Sequence, residues 1–306
     1  MKRIAVLIQV LVFSAFSASD LWACDVCGGG GGAGYGSIMP MFQQNMLGLR
    51  MQHNFFRHPE GLNRNGESVV ISDQYRQADI WLRSRLSKRV FLTTLLPVRE
   101  NLRRETQQDS RIRGLGDLRA DIVWIVLNTA DSTGSLWKQM LQLGGGIKLN
   151  NGRYMQRMAN GVIAPLPLQT GNGALGGLLR GQYILRRGRA GIQTDLQYAA
   201  FSTNELNYRM GSQATAGLRA FFWNYRGSRQ YLFSAGLAAE RIARDLEYGA
   251  FKPESGGRFL HAQAEAVFFF GRFSVQCQAG LPLMQEITPA QPAAGLRMGF
   301  GGAMFF

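Results

Sequence analysis

The stretch AGIQTDLQY at residues 190–198 decides the fold, because apolar and polar side chains alternate along it. Ile192 and Leu196 fall on one parity, whereas Asp195 and Gln197 fall on the other. Successive side chains of a β-strand point to opposite faces, while a helix groups residues three or four apart and would mix these two sets. The stretch is therefore predicted to be a strand with one apolar and one polar face.

The same alternation recurs along the chain from about residue 46 onward. Twelve alternating segments are predicted to be strands, at 44–57, 74–86, 89–99, 115–128, 138–149, 173–186, 189–202, 208–225, 229–243, 257–270, 272–282 and 294–306. The third is the least clear, because 90–96 is apolar on both parities. The count is even, as a barrel with both chain ends on the same side of a membrane requires.

The connections between these segments alternate between short and long. Tight turns are predicted at 87–88, 187–188, 227–228 and 271–272, and longer polar stretches at 58–73, 100–114, 150–172, 203–207, 244–256 and 283–293. The connection at 129–137 is longer than this pattern prefers. Outer-membrane barrels have short periplasmic turns and longer external loops. We therefore predict an all-β fold, namely a transmembrane antiparallel up-and-down β-barrel of about twelve strands.

The apolar face of such a sheet is expected to meet lipid and the polar face to line the lumen. Unpaired backbone groups are costly in hydrocarbon, and closing the sheet removes both of its edges. The alternative fold is a periplasmic β-sandwich, in which two apolar faces pack together. The final segment favours the barrel, because its alternation ends on Phe306 and resembles the signal read by the barrel-insertion machinery. That machinery is an expected partner.

Residues 1–23 are predicted to be a secretory signal peptide, because Lys2 and Arg3 precede a short apolar run and small residues follow it. The run is too short for a stable transmembrane helix. Residues 24–43 are Gly-rich and are predicted to be a flexible segment, and 44–306 are predicted to form the barrel. The expected location is the outer membrane of a bacterium with two membranes.

The composition agrees with a protein whose strands face two solvents. Glycine accounts for 38 residues, charged residues make up only 18%, and the formal net charge is +14. A basic balance can indicate nucleic-acid binding, but that requires a basic patch on a recognisable module, which the sequence lacks. In an exported protein the arginines suit contact with outer-membrane lipids and lipopolysaccharide, or attraction of anionic solutes.

Three Gly-rich motifs give the chain a resemblance to a known family. They are GLGDL at 114–118, LGGGIKLNNG at 143–152, and the run from QTGNG at 169–173 to NYRMG at 207–211. With them the sequence resembles the outer-membrane transporter-like proteins grouped around the MetA pathway of phenol degradation, and its N-terminal head resembles a Bacteroidota variant. The resemblance implies a barrel that moves small, often hydrophobic or aromatic, molecules.

Cys24 and Cys27 leave three interpretations open. LWAC at 21–24 partly fits a lipobox, in which case Cys24 would become an acylated N-terminus. A metal or redox pair is a weak candidate, because two cysteines supply only two of the four ligands of a tetrahedral site. The third interpretation is an unmodified pair or a local disulfide. Cys277 falls on the apolar parity and is predicted to be inert packing. We expect no cofactor.

The polar parity of the predicted strands supplies candidate residues for a solute path through the lumen. They are Arg50, Gln52, Asp79, Arg83, Arg119, Asp121, Arg180, Gln182, Gln193, Asp195, Gln197, Arg219, His261, Gln263 and Glu265. The set would also suit a packed interior, since buried charges must be paired. About twelve strands enclose a narrow lumen. We therefore predict a non-enzymatic channel in which small molecules diffuse past paired charges.

Two other functions stay open on sequence grounds. One is a structural or adhesion barrel. The other is a membrane-embedded lipid hydrolase, which would need a nucleophilic serine near a histidine such as His53 on the outer surface. Aromatic residues towards strand ends or mid-wall include Trp81, Trp124, Trp137 and Trp223. Those near strand ends suit the girdles that mark the two membrane interfaces, and an aromatic solute site is the alternative.

Overall fold

The computed structural model describes residues 44–58, 61–62, 68–69, 71–105, 109–129, 135–225 and 230–306. The predicted signal peptide at 1–23 and the Gly-rich segment at 24–43, with Cys24 and Cys27, lie outside these ranges, as does the predicted turn at 227–228. Within the described ranges, no helix is long and apolar enough to cross a membrane.

The described residues form eighteen strands, numbered here in chain order. They are β1 (Met46–Arg57), β2 (Gly61–Leu62), β3 (Ser68–Val69), β4 (Ser72–Arg85), β5 (Val90–Arg104), β6 (Ser110–Leu115), β7 (Arg119–Asn128), β8 (Trp137–Lys148), β9 (Gly176–Arg187), β10 (Ala190–Phe201), β11 (Tyr208–Arg209), β12 (Gln213–Asn224), β13 (Gln230–Ile242), β14 (Leu246–Glu247), β15 (Ala250–Phe251), β16 (Gly257–Phe270), β17 (Phe273–Glu286) and β18 (Ala293–Phe305). β6 and β7 pair in succession with β5 and act as one wall strand. The wall therefore has twelve strands, and five short strands form two small sheets in the long connections.

The wall is a closed antiparallel barrel. β1 pairs with β4 on one side and with β18 on the other, so that Met46 lies opposite both Arg83 and Phe305. Every other wall strand pairs with its sequence neighbours. Closure gives each strand two hydrogen-bonded neighbours and removes the free edges that hydrocarbon does not tolerate. The predicted fold class is confirmed.

Side chains alternate between the outer wall and the lumen as the period of two predicts. On β10, Ile192 and Leu196 are 44% and 42% exposed, whereas Gln193 between them is fully buried. On β18, Leu296, Met298, Phe300 and Met304 are exposed together on the outer face. A closed barrel with so apolar an outer wall requires lipid around it, which places the protein in an outer membrane.

Most predicted strand boundaries are correct to within a few residues, and two departures have a physical cause. The strand predicted at 115–128 is split, because Asp117 turns away from β5 to bind other parts of the chain. The strand predicted at 208–225 begins at Gln213, because 208–209 pairs with β14 instead. Asp245 holds that detour by accepting a 2.6 Å hydrogen bond from the Gly211 amide.

An apolar cluster fills the lumen at the end of the barrel that carries the short turns. Its members are Met46, Phe91, Val123, Ile125, Met140, Ile184, Phe221, Leu232, Val267, Phe269, Ala303 and Phe305. The short-turn end of such a barrel is the periplasmic end. The expectation of a polar face along the whole lumen therefore fails here. The burial of apolar side chains in the lumen also explains why 90–96 is apolar on both parities. Phe91 and Leu95 are buried in the lumen, and their neighbours lie on the opposite, outer face.

The tryptophans divide between this cluster and the outer wall. Trp81 and Trp223 pack against the apolar cluster, so the girdle interpretation is wrong for both. Trp81 shares its parity with Asp79, whose side chain is buried in the lumen. Trp124 and Trp137 are about half exposed on the outer wall, where an interface girdle would lie.

Candidate functional site

A charged layer crosses the lumen on the external side of the apolar cluster. It consists of Arg50, Asp79, Asp195, Arg219 and Glu265. Arg50 Nη2 lies 2.6 Å from Asp79 Oδ2, and both side chains are buried. Arg219 bridges two carboxylates, at 3.0 Å from Asp195 Oδ2 and 3.2 Å from Glu265 Oε2. Pairing offsets the large cost of removing these charges from water. All five were predicted from sequence, and the structure brings them together.

Three further predicted residues border the charged layer. Gln182 and Gln193 each donate a hydrogen bond to Asp195 Oδ1, at 2.7 and 2.9 Å. Arg83 lies on the side of the layer that faces the apolar cluster, and its guanidinium is 4.3 Å from the centroid of the Phe91 ring. The layer therefore rests directly on the apolar cluster, and cation–π contact stabilises the junction between them.

His261 lies apart from the charged layer, nearer the external end. Its Nε2 is 3.6 Å from Glu240 Oε2, and Arg297 lies 3.3 Å from the same oxygen. Gln52 and Gln263 are half-buried on lumen-facing positions of their strands. The predicted set is thus distributed along the lumen rather than gathered in one site.

A cavity opens on the external side of the charged layer. Four predicted residues line it, namely Arg119, Asp121, Arg180 and Gln197. The other polar lining includes Gln77, Arg99, Asp117, Lys148, Gln169 and Asn172. The apolar lining includes Leu95, Pro97, Leu166, Leu178, Phe201 and Met210. A cavity with mixed lining and a few fixed polar groups is the usual form of a small-molecule site.

The connection at 150–172 forms a roof over this cavity. Its Leu168 and Thr170 are fully buried. The Asn101 Nδ2 group donates to the Leu168 carbonyl at 2.8 Å, and Arg99 Nη1 donates to the Thr170 carbonyl at 3.1 Å. Both donors project from the lumen face of β5, so the roof folds into the mouth of the barrel instead of extending away from it.

Asp117 anchors the roof. Its carboxylate accepts hydrogen bonds from Lys148 Nζ at 2.8 Å, from the Gly152 amide at 2.9 Å and from the Asn172 amide at 3.1 Å. Lys148 also donates to Asn172 Oδ1 at 2.6 Å and to the Ala174 carbonyl at 2.7 Å. This is a buried, charge-assisted network, and such networks fix geometry strongly when every member is satisfied.

Two glycines let the backbone approach this anchor. A Cβ on Gly152 would lie 2.7 Å from the Gly116 carbonyl carbon, and one on Gly171 would lie 2.8 Å from the Gly152 carbonyl carbon. Larger residues would therefore push the roof away from Asp117. The Gly-rich motifs at 114–118, 143–152 and 169–173 meet at this point, although sequence reasoning gave Asp117, Lys148 and Asn172 no role.

The remaining candidates from sequence lie elsewhere. His53 is on the outer-wall parity and packs against Phe55, with ring centroids 4.0 Å apart and the ring planes tilted by 33°. Cys277 is exposed on the outer wall. Over the described parts of the chain, no group of three His, Cys, Asp or Glu side chains could hold a metal ion.

A closed barrel of twelve antiparallel strands, apolar outside and charged within, defines an outer-membrane β-barrel. The structure is similar to the COG4313 outer membrane channel from Pseudomonas putida F1, with a TM-score of 0.65, 15% identity, and coverage of 86% of this chain and 96% of that one. It is more distantly similar to the beta domain of the Bordetella autotransporter Brka, with a TM-score of 0.46, 12% identity, and coverage of 85% and 100%. No family model matches the sequence, and no curated protein matches it. At these identities the likeness concerns the fold.

Proposed function

We propose that the protein is an outer-membrane channel for small molecules, and that small hydrophobic or aromatic compounds are among its solutes. The observation that carries this proposal is the cavity inside the lumen, between the roof and the charged layer. Its apolar lining suits an apolar solute, and its fixed polar groups suit orientation of that solute. The resemblance of the Gly-rich motifs to the MetA-pathway family supports the same class of solute.

Transport is passive in this proposal. A solute enters from the external mouth beside the roof and occupies the cavity. It then passes the charged layer, whose side chains are paired with one another and so oppose an apolar body less than isolated charges would. The apolar cluster forms the last barrier, and passage requires its side chains to move aside. Such gating motions of side chains and loops are common rate-limiting steps.

Solute flux into liposomes tests the proposal, with two neighbouring substitutions as probe and control. Thr215 lines the cavity, whereas the adjacent Ala214 is exposed on the outer wall. Thr215→Trp should fill the cavity and lower the uptake of small aromatic solutes. Ala214→Trp adds the same side chain on the lipid face and should leave uptake unchanged. Uptake by wild-type liposomes no faster than by protein-free liposomes would refute the channel function.

A further inference from the structure

We infer that the cavity selects small organic anions, molecules that carry one carboxylate or a similar anionic group on an apolar body. This inference rests on the proposed function, because the cavity is the same site, and it adds the charge of the solute. It follows from three features of the cavity: the balance of charge on its wall, the contacts already made by each cation, and the position of its apolar lining.

The wall of the cavity carries more cations than carboxylates. The cationic groups are Arg99, Arg119, Lys148 and Arg180. The only carboxylates among the lining residues that the structure describes are Asp117 and Asp121. The net charge of the lining is therefore +2, and low-dielectric walls focus the field of such an excess into the enclosed space. An anion gains from this field, whereas a cation of the same size is repelled.

Lys148 and Arg180 make different contacts with the protein. Lys148 is fixed by the roof anchor, with Asp117 Oδ2 at 2.8 Å and Asn172 Oδ1 at 2.6 Å. Arg180 lines the cavity beside Asp121, with its Nη1 3.9 Å from Asp121 Oδ2 and its Nη2 3.5 Å from Thr93 Oγ1. Because Lys148 is committed to the roof anchor, the guanidinium of Arg180 is the expected principal ligand of an anion in the cavity.

Arg119 lines the same cavity as Arg180 and is the expected second ligand. Arg119 begins β7 and Asp121 follows two residues later, so both side chains point into the lumen. A guanidinium offers five N–H donors in a planar fork that matches the two oxygens of a carboxylate. The apolar part of the solute would lie against Leu95 and Leu178, which project into the same cavity from β5 and β9. One end of the site thus binds charge and the other binds hydrocarbon.

Calorimetric titration of the full-length barrel in nonionic detergent tests the inference. Benzoate and benzamide have nearly the same shape, but only benzoate is charged. We expect benzoate to bind at least about tenfold more tightly than benzamide, as charge-assisted hydrogen bonds to arginine predict. Arg180→Gln should weaken benzoate binding by about tenfold and leave benzamide binding unchanged. Arg241→Gln, on an exposed residue of the outer wall, is the matched control and should change neither.

Arg119→Gln provides a second test, and heat-modifiable gel mobility shows whether each variant has folded. Equal affinity for benzoate and benzamide, or benzoate binding that survives in both folded arginine variants, would overturn the inference. These outcomes are separate from those of the flux experiment. Solute flux without charge discrimination would leave the channel function standing and reject the anion preference. Charge-selective binding without flux would reject the channel function and support the anion site.

Discussion

The substitution Asp117→Asn should release the roof from the barrel mouth while preserving the shape of the side chain. In the native protein the carboxylate accepts three hydrogen bonds, and its main cationic partner, Lys148, is buried with it. Hydrogen bonds to charged groups contribute about 1.5–3 kcal/mol each. Asparagine retains one acceptor oxygen but removes the negative charge beside Lys148. We therefore expect the closed conformation of the roof to lose about 3 kcal/mol of stability relative to the open conformation.

A loss of that size corresponds to roughly a hundredfold increase in the open population, since about 1.4 kcal/mol is a tenfold change in an equilibrium constant. Limited trypsin digestion measures it, because Arg157 lies within the roof and its cleavage follows the population of the open form. The rate of cleavage after Arg157 should rise by about the same factor, and the conductance of the barrel should rise with it.

The exposed pair formed by Arg258 and Glu286, at 3.4 Å, supplies the control. Surface ion pairs contribute about 0–1 kcal/mol, so Glu286→Gln should leave roof cleavage unchanged. Lys148→Met should also open the roof, but it should add little in the Asp117→Asn background because both changes break the same network. Cleavage after Arg157 at the wild-type rate in Asp117→Asn would refute the assignment of Asp117 as the anchor.

Three further substitutions test other parts of the barrel. Phe91→Ala should remove about 3–5 kcal/mol of stability and raise ion conductance, because Phe91 is fully buried in the apolar cluster. A stable variant with unchanged conductance would contradict the role of Phe91 as a barrier. Leu196→Arg should lower the free energy of unfolding by about 2–4 kcal/mol, since Leu196 faces the membrane, and urea unfolding from lipid vesicles measures the loss. An unchanged free energy of unfolding would place that face away from lipid. Tyr208→Phe should lower the stability of the adjacent loop by about 1–2 kcal/mol, because it removes the hydroxyl that donates to Asp245. Faster proteolysis of that loop would show the loss, whereas unchanged proteolysis would count against the hydrogen bond.

The strands could be predicted because their signal is local. The segment predicted at 189–202 corresponds to β10 at Ala190–Phe201, and the one predicted at 257–270 corresponds to β16 without error. Each strand needs one apolar and one polar face, and a period of two records this directly. The same signal identified the charged layer, because paired residues such as Arg50 and Asp79 occupy the polar parity of neighbouring strands.

The roof and the apolar cluster could not be predicted, because both depend on contacts between distant segments. Asp117 binds Lys148 and Asn172, which are 31 and 55 residues further along the chain. The motifs around these residues were visible in sequence, but nothing local shows that they meet. Phe91 likewise lies in 90–96, which is apolar on both parities, so alternation does not show which face it occupies, and its burial in the lumen becomes evident only when the barrel closes around it.

Single-channel recording from wild-type barrels in a planar lipid bilayer tests the channel function most directly. Folded protein inserted under a KCl gradient should give discrete current steps, with a reversal potential that shows preference for chloride over potassium. Insertion of demonstrably folded barrels that yields no current steps at any applied voltage would contradict the central claim that solutes cross through the lumen.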